Sequence, residues 1–427
     1  MHPSRVRWFM AALLLAITSL TYLDRLNMMV AAARIRSEFG LTDVQIGTIL
    51  SAFVLGYALF QIPGGVLVDV IGPKRLLGLA MFWWSLFTAM TALADKLPLV
   101  RWLGVGWSFI VVRFLIGVGE APALPSANKV VGLWMAPEER ALGNSIFIAG
   151  LGLGGAVAPP LVVWLMETWG WRTSFWVTGT LGLPLLLVWI LVATNRPEEH
   201  RRVNAAELAW IRRGTVAADP PAHSASIPWR VILSHSSVWA LVCSYFLAGY
   251  TGYVFFTWSF LYIVSVRKLP IAQAGLWTMA PFLAMAVLSP VGGYVSDWAV
   301  RRWDRRWGRR FSALLGMSLA ALFLLTGSVI AQARLAIVLI ALAAGFTGFA
   351  TVNWWATTVD ITRRYAGSVA GIMNTAGNLG GVISPTLTPY LAERFGWVIA
   401  LGVAATAALL AGLLWFFVHP DRALVEE

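Results

Sequence analysis

Tyr22, Asp24 and Arg25 stand together in the segment TYLDRLN, inside a run that is almost wholly apolar from Trp8 to Leu20 and again beyond it. Arg113 and Glu120 occupy a second such run. At the centre of a membrane helix each of these charges costs about 2.5–3.5 kcal/mol on insertion scales, so they are expected to face a water-filled cavity or a partner charge. Helical geometry sorts them. Tyr22 and Arg25 share a stripe, Asp24 and Arg25 lie about 100° apart, and Arg113 and Glu120, seven residues apart, fall on one face. The chemistry available is anion binding and proton transfer. Arg25 stays charged and its guanidinium fits a carboxylate through two parallel hydrogen bonds; Tyr22 adds a hydroxyl donor beside it. Asp24 and Glu120 are carboxyl groups placed to take up and release a proton, and Arg113 is a cation able to hold one of them charged. The competing reading is a static network in which Asp24–Arg113 and Arg25–Glu120 only neutralise each other.

Other polar side chains sit in comparable apolar runs. Tyr57 and Gln61 are four residues apart on one stripe; Gln61 precedes Pro63, so its expected role is to satisfy a kinked backbone. Asn353 and Trp354, in TVNWWATT, are expected to face the cavity, and Tyr253 and Trp258 to line a gate. Asn378 is read as a hydrogen bond between helices. Cys243 is the one cysteine, which excludes a disulfide framework or a cysteine metal site. His2, His200, His223, His235 and His419 have no ligand spacing, and neither a nucleophile motif nor a phosphate-binding glycine loop occurs. No metal, prosthetic group or enzymatic activity is expected.

The elements that position these residues are membrane helices. The 427 residues are 59% hydrophobic and only 12% charged, with a mean hydropathy of +0.73, where a soluble chain carries about 25% charged residues. Each crossing needs about 20 apolar residues, and twelve spans fit: roughly 8–33, 44–67, 76–94, 102–128, 140–165, 172–193, 237–264, 272–296, 311–331, 334–359, 366–391 and 397–418. The first reads as a transmembrane helix rather than a secretory signal because eleven more follow. The net charge of +12 follows the membrane. Arg5, Arg7, Lys74, Arg75, NRPEEHRR, RRWDRRWGRR and TRRY all fall on the side of the two termini, which the positive-inside rule makes cytoplasmic. That distribution argues against a nucleic-acid partner for residues 301–310.

Residues 195–235 are the only long hydrophilic stretch: NRPEEHRRVNAAELAWIRRG reads as a short surface helix, and ADPPAHSASIP as a linker. The expected organisation is therefore 1–194, a six-helix bundle; 195–235, a cytoplasmic linker; and 236–427, a second six-helix bundle. The halves repeat. GGVLVDVIGPKR at 64–75 matches GGYVSDWAVRR at 292–302, which sets Asp69 opposite Asp297. GLGLGGAVAPPLVVWLMETWGW at 150–171 matches AGNLGGVISPTLTPYLAERFGW at 376–397. Two matches in order at nearly one shift indicate duplication, the pattern of a transporter whose halves rock about a central site.

The motif Gly65-x-x-x-Asp69-x-x-Gly72-Pro73-Lys74-Arg75 resembles the loop signature of the major facilitator superfamily. YLDRLN, SAFVLGYALFQIPGG, RFLIGVGEAPALPS and GIMNTAGNLGGVISP resemble its anion:cation symporter family, which includes bacterial hexuronate, galactonate and glucarate transporters and vesicular glutamate and sialic acid carriers. The resemblance implies an all-α membrane fold of twelve helices in two pseudo-symmetric six-helix bundles. It also implies a substrate-binding arginine at Arg25, a proton-coupling set at Asp24, Arg113 and Glu120, and cavity positions at Tyr57 and Asn374. Two features depart from the sugar-acid pattern: Leu151 stands where some members carry a polar side chain, and TWSFLY lacks a proline after the tryptophan, so a less hydroxylated acid is favoured. The expectation is a monomeric inner-membrane symporter that takes up a small organic anion with protons, driven by the proton gradient. An exchanger or exporter on the same scaffold, or a non-transporting anion sensor, are the alternatives.

Overall fold

The computed structural model describes residues 2–213, 227–261, 277–422 and residue 424, and the side chains of all these except 43 and 257–261. Among them there is no strand. The long helices are α1 (Val6–Phe39), α2 (Asp43–Ile71), α3 (Pro73–Thr91), the pair α4 (Val105–Glu120) and α5 (Ala123–Trp134), α6 (Arg140–Trp169) and α7 (Trp171–Val192). A short α8 (Ala205–Arg212) follows, at the expected surface helix. The second half holds α9 (Ser236–Leu261), α10 (Ala280–Arg302), α11 (Arg305–Val329), α12 (Ala333–Ile361), α13 (Ala366–Phe395) and α14 (Trp397–Leu413). Counting α4 and α5 as one interrupted helix, these are the twelve expected spans. Most of the linker tail, the end of the seventh span and the start of the eighth lie outside the described residues.

Ten of these helices are long and apolar enough to cross a membrane on length and composition alone. The other two, α3 and α13, carry the polar cost of their positions. α3 opens on Pro73-Lys74-Arg75, and α13 is rich in Gly, Asn and Thr because it packs against helices on several sides. Both sit within the bundle, α3 against α7 and α4, α13 against α9 and α2.

One pairing scheme occurs twice. In the first half α1 packs on α6, α2 on α4 and α3 on α7; in the second α9 packs on α13, α10 on α12 and α11 on α14. The halves meet through α2 with α13 and α6 with α10. The duplication explains why the same small residues recur. A Cβ on Gly154 of α6 would strike the carbonyl of Ser19 on α1, and a Cβ on Gly380 of α13 would strike the carbonyl of Phe246 on α9. In lipid there is no hydrophobic gain from bringing helices together, so close backbone approach of this kind supplies much of the packing energy.

The N-terminus of α1 is tied down by the linker helix. Glu207 of α8, fully buried, accepts from the amides of Val6 and Arg7, both at 3.0 Å. Arg7 in turn pairs with Glu139 at 3.0 Å in front of α6.

Replacing Gly154 with valine is expected to split α1 from α6 and lower the melting temperature of the purified protein, or its yield, severely. Gly252→Ala, where a Cβ meets nothing within 4 Å, is the control and is expected to be silent in the same thermal assay.

Candidate functional site

Between the halves lies a cavity of about 120 Å³ lined by Tyr22 and Arg25 of α1, Tyr57 of α2, Leu151 of α6, Tyr253 of α9 and Asn374 of α13, among others. Arg25 stands on its wall. Its guanidinium carbon lies 4.3 Å from the ring centre of Tyr57, 5.0 Å from Phe53 and 5.1 Å from Tyr22, distances at which an aromatic face attracts a cation. Its Nε donates to Glu120 Oε2 at 2.8 Å, and that carboxylate is closed off from solvent.

Glu120 is where it is because the helix stops there. α4 ends at Glu120 and α5 resumes at Ala123, and Pro122, which has no amide hydrogen to give to the helix, stands in the break. The second oxygen of Glu120 has no hydrogen-bond partner among the described residues, nor does either oxygen of Asp24, nor Nε of Arg113. Asp24 lies within electrostatic reach of Glu120 and Arg113. Arg113 stacks on Phe53 at 4.8 Å, so that one ring faces two guanidinium groups. The four charges anticipated from the sequence therefore form one cluster, in which Arg25 alone reaches the cavity wall.

A second set of polar groups crosses the cavity wall. Asn374 Nδ2 donates to Gln61 Oε1 at 2.9 Å and to Tyr57 Oη at 3.3 Å, joining α13 to α2. Tyr253 Oη donates to Asn378 Oδ1 at 3.0 Å. Gln61 is thus a bridge between the halves rather than a patch on its own kinked backbone. The expectation for Asn353 and Trp354 requires correction. Both are fully buried and neither lines the cavity. Asn353 donates to Ser312 Oγ at 3.1 Å, and Trp354 donates to Ser244 Oγ at 3.1 Å and packs on Trp415. They are turned into the second half, and α12 presents Thr347 and Thr351 to the cavity instead. Trp355 supports that wall by donating to the Tyr245 hydroxyl at 3.2 Å. The side chain of Trp258 lies outside the described residues.

The halves are latched together at the end that carries the basic loops. Asp69 accepts from the amides of Gly367 at 3.1 Å and Ser368 at 2.7 Å, which caps the N-terminus of α13. Asp297 accepts from the amides of Ala141 at 3.2 Å and Leu142 at 2.8 Å, which caps α6. Each half thus supplies an aspartate to the other half's helix. Lys129 pairs with Asp69 at 3.0 Å and also donates to the carbonyls of Arg363 and Arg364. Arg309 pairs with Asp297 at 2.7 Å and with Asp360 at 3.0 Å, and Asp360 pairs with Arg140 at 2.8 Å. Gly65 is needed for the approach, since a Cβ there would meet the Gly367 carbonyl. Gly72 turns the chain at φ +86°. Lys74 is half-buried and Arg75 exposed; the Lys74 amide donates to Asn195 at 3.0 Å. Lys129, Arg309 and Asp360 were not singled out from the sequence. Among the described residues no cluster of His, Cys, Asp or Glu is arranged to hold a metal ion.

The family model described as Major Facilitator Superfamily matches residues 14–303 and 268–426. The chain is 32% identical to the probable sulfoacetate transporter of Cupriavidus necator, over 94% of this chain and 93% of that protein. It is 30% identical to the probable galactarate/D-glucarate transporter of Escherichia coli, over 98% of this chain and 96% of that one. Its backbone is similar to that of a proton:xylose symporter solved with 6-bromo-6-deoxy-D-glucose, at a TM-score of 0.76 and 16% identity, covering 97% and 96% of the two chains.

Asp69→Asn leaves Lys129 buried without its counter-charge, a loss on the order of 3–5 kcal/mol. The latched end is expected to open. A cysteine at Val359, buried against Gly132, in a Cys243→Ser background, becomes reactive to a membrane-impermeant thiol reagent applied from the basic side. Unchanged protection would mean that the latch does not hold the halves.

Proposed function

This chain belongs to the Major Facilitator Superfamily and is a multi-pass membrane protein, and on that premise we propose that it is a secondary active transporter that takes up a small organic anion together with protons. The observation that carries this reading is the Arg25–Glu120 pair at 2.8 Å, in which the one cation on the described cavity wall is held by a carboxylate that solvent does not reach. A ligand carboxylate and Glu120 compete for the same guanidinium. Protonation of Glu120 breaks the pair and frees Arg25 to bind the ligand; departure of the ligand returns Arg25 to Glu120 and expels the proton. Asp24 and Arg113, within electrostatic reach of each other and of Glu120, balance the cluster as Glu120 changes state. Tyr22, Tyr57 and Asn374 contact the ligand around its carboxylate.

The two relatives named above are described as transporters of organic anions, which supports the anion. The proton is supported by the placing of a buried carboxyl, Glu120, directly on the cation of the cavity wall. The positive-inside rule would put the basic end in the cytoplasm; in this reading both termini are cytoplasmic and the state described is closed towards the cytoplasm, and the proposed location is an inner membrane. The units 1–194 and 236–427, joined by 195–235, rock about the cavity within one monomer. Opening the cytoplasmic side requires both aspartate caps to part. No prosthetic group enters this cycle; the proton gradient supplies the drive.

Arg25→Lys keeps the charge but loses the planar fork. It is expected to lower uptake by proteoliposomes more than about tenfold while the amount of inserted protein is unchanged; uptake at the original rate would remove Arg25 from the site. Glu120→Gln mimics the protonated state permanently. It is expected to retain exchange of labelled for unlabelled anion and to lose accumulation driven by an imposed pH gradient. Accumulation that survives this change would rule out Glu120 as the proton carrier.

A further inference from the structure

We propose that the cavity selects a monocarboxylate with a small apolar or aromatic body, in preference to polyhydroxylated or dicarboxylic acids. The inference rests on the reading of Arg25 as the carboxylate site and adds what the remainder of the ligand must be.

Charge comes first. Among the described lining residues Arg25 is the one charged side chain, so the second carboxylate of a diacid would enter the cavity without a cation. Hydrogen-bonding capacity comes second. Nearly every polar side chain on the wall is engaged by the wall itself. Thr347 and Thr351 donate to the carbonyls of Ala343 and Thr347, at 2.9 and 2.8 Å. Asn378 accepts from Tyr253 and donates to the Asn374 carbonyl at 2.7 Å. The Tyr57 and Tyr245 oxygens accept from Asn374 and Trp355. What remains as donors is the guanidinium and the O–H groups of Tyr22, Tyr57 and Tyr245; the threonine hydroxyls and Tyr253, having given up their hydrogens, are left as acceptors. A carboxylate accepts only, and matches the donors. A ligand hydroxyl is satisfied only where it reaches one of the acceptor oxygens; one set against Leu124, Ile148, Leu151, Phe256 or Met285 is a buried donor left unpaired, which weakens binding by roughly tenfold.

Shape comes third. Away from Arg25 the cavity is walled by Leu124, Ile148 and Leu151 on the first half and by Phe256 and Met285 on the second. Phe256 anchors an aromatic group, with its ring centre 5.9 Å from Tyr22, 6.0 Å from Tyr253 and 5.3 Å from Phe282. This surface gains from burying a ring or a short aliphatic chain.

The test is isothermal titration of the purified full chain with benzoate, with threonate, which matches benzoate in size and charge but is hydroxylated, and with succinate, which carries two charges. Benzoate is expected to bind at least about tenfold more tightly than either. Leu151→Asn, which puts a donor and an acceptor into the apolar wall, is expected to narrow the gap between benzoate and threonate, and Arg25→Lys to abolish binding of benzoate. Threonate or succinate binding as tightly as benzoate, and lost in Arg25→Lys, would overturn the proposed ligand class and leave the carboxylate site standing. Benzoate binding that persists in Arg25→Lys would overturn the site itself. Failure of all three acids to bind would overturn both.

Discussion

A guanidinium at a cavity wall, held against a carboxylate that is itself buried, sets the terms for everything around it. Neither Arg25 nor Glu120 is tolerable alone at that depth, and each therefore dictates part of the surrounding chain. α4 ends at the carboxylate, with Pro122 in the break that follows. Phe53 and Tyr57 of α2 turn their faces to the cation, and Phe53 does the same for Arg113. The site is less a set of ligands inserted into a bundle than a set of helices arranged so that four charges are mutually affordable.

The second recurring constraint is that the exposed ends of helices must be satisfied. Asp69 and Asp297 satisfy the first amides of α13 and α6, and those helices belong to the opposite halves. The contact is reciprocal because the sequence is duplicated: one local solution, an aspartate at a helix end near a basic turn, was copied with its neighbours and then serves across the interface in both directions. A cap made within one half would stabilise that half only. A cap made across the interface stabilises one arrangement of the two.

Much of this could be read before the fold was known, and the limits are instructive. The spans were legible because length and apolarity of a membrane crossing are dictated by the bilayer. Arg25, Asp24, Arg113 and Glu120 stood out because charge in such runs is costly. The reading of Asn353 and Trp354 failed for the opposite reason. Every residue from Val352 to Ile361 of α12 is buried, so no polar stripe marks which side faces the cavity, and the rotation of the helix is set by contacts with Ser312, Ser244 and Trp415. Lys129 was passed over because a single cation close to a helix end reads as part of a basic loop; only the approach of Asp69 makes it an internal charge. Gln61 shows the same gap: a glutamine before a proline suggests a local role, whereas its partner Asn374 is 313 residues away.

Arg25, the one cation among the described residues of the cavity wall, has an electrical consequence for the proposed cycle. When the carboxylate of a ligand takes the place of the Glu120 carboxylate beside Arg25, and Glu120 has gained a proton, the bundle holds the same net charge as before. A monoanion and one proton crossing together transfer no charge, so membrane voltage, worth about 2.3 kcal/mol per charge at 100 mV, does no work on the loaded step. The steepness of uptake would then be governed by acidity outside rather than by polarisation of the membrane, and a cell that collapses its voltage while keeping its pH difference would go on feeding through this protein.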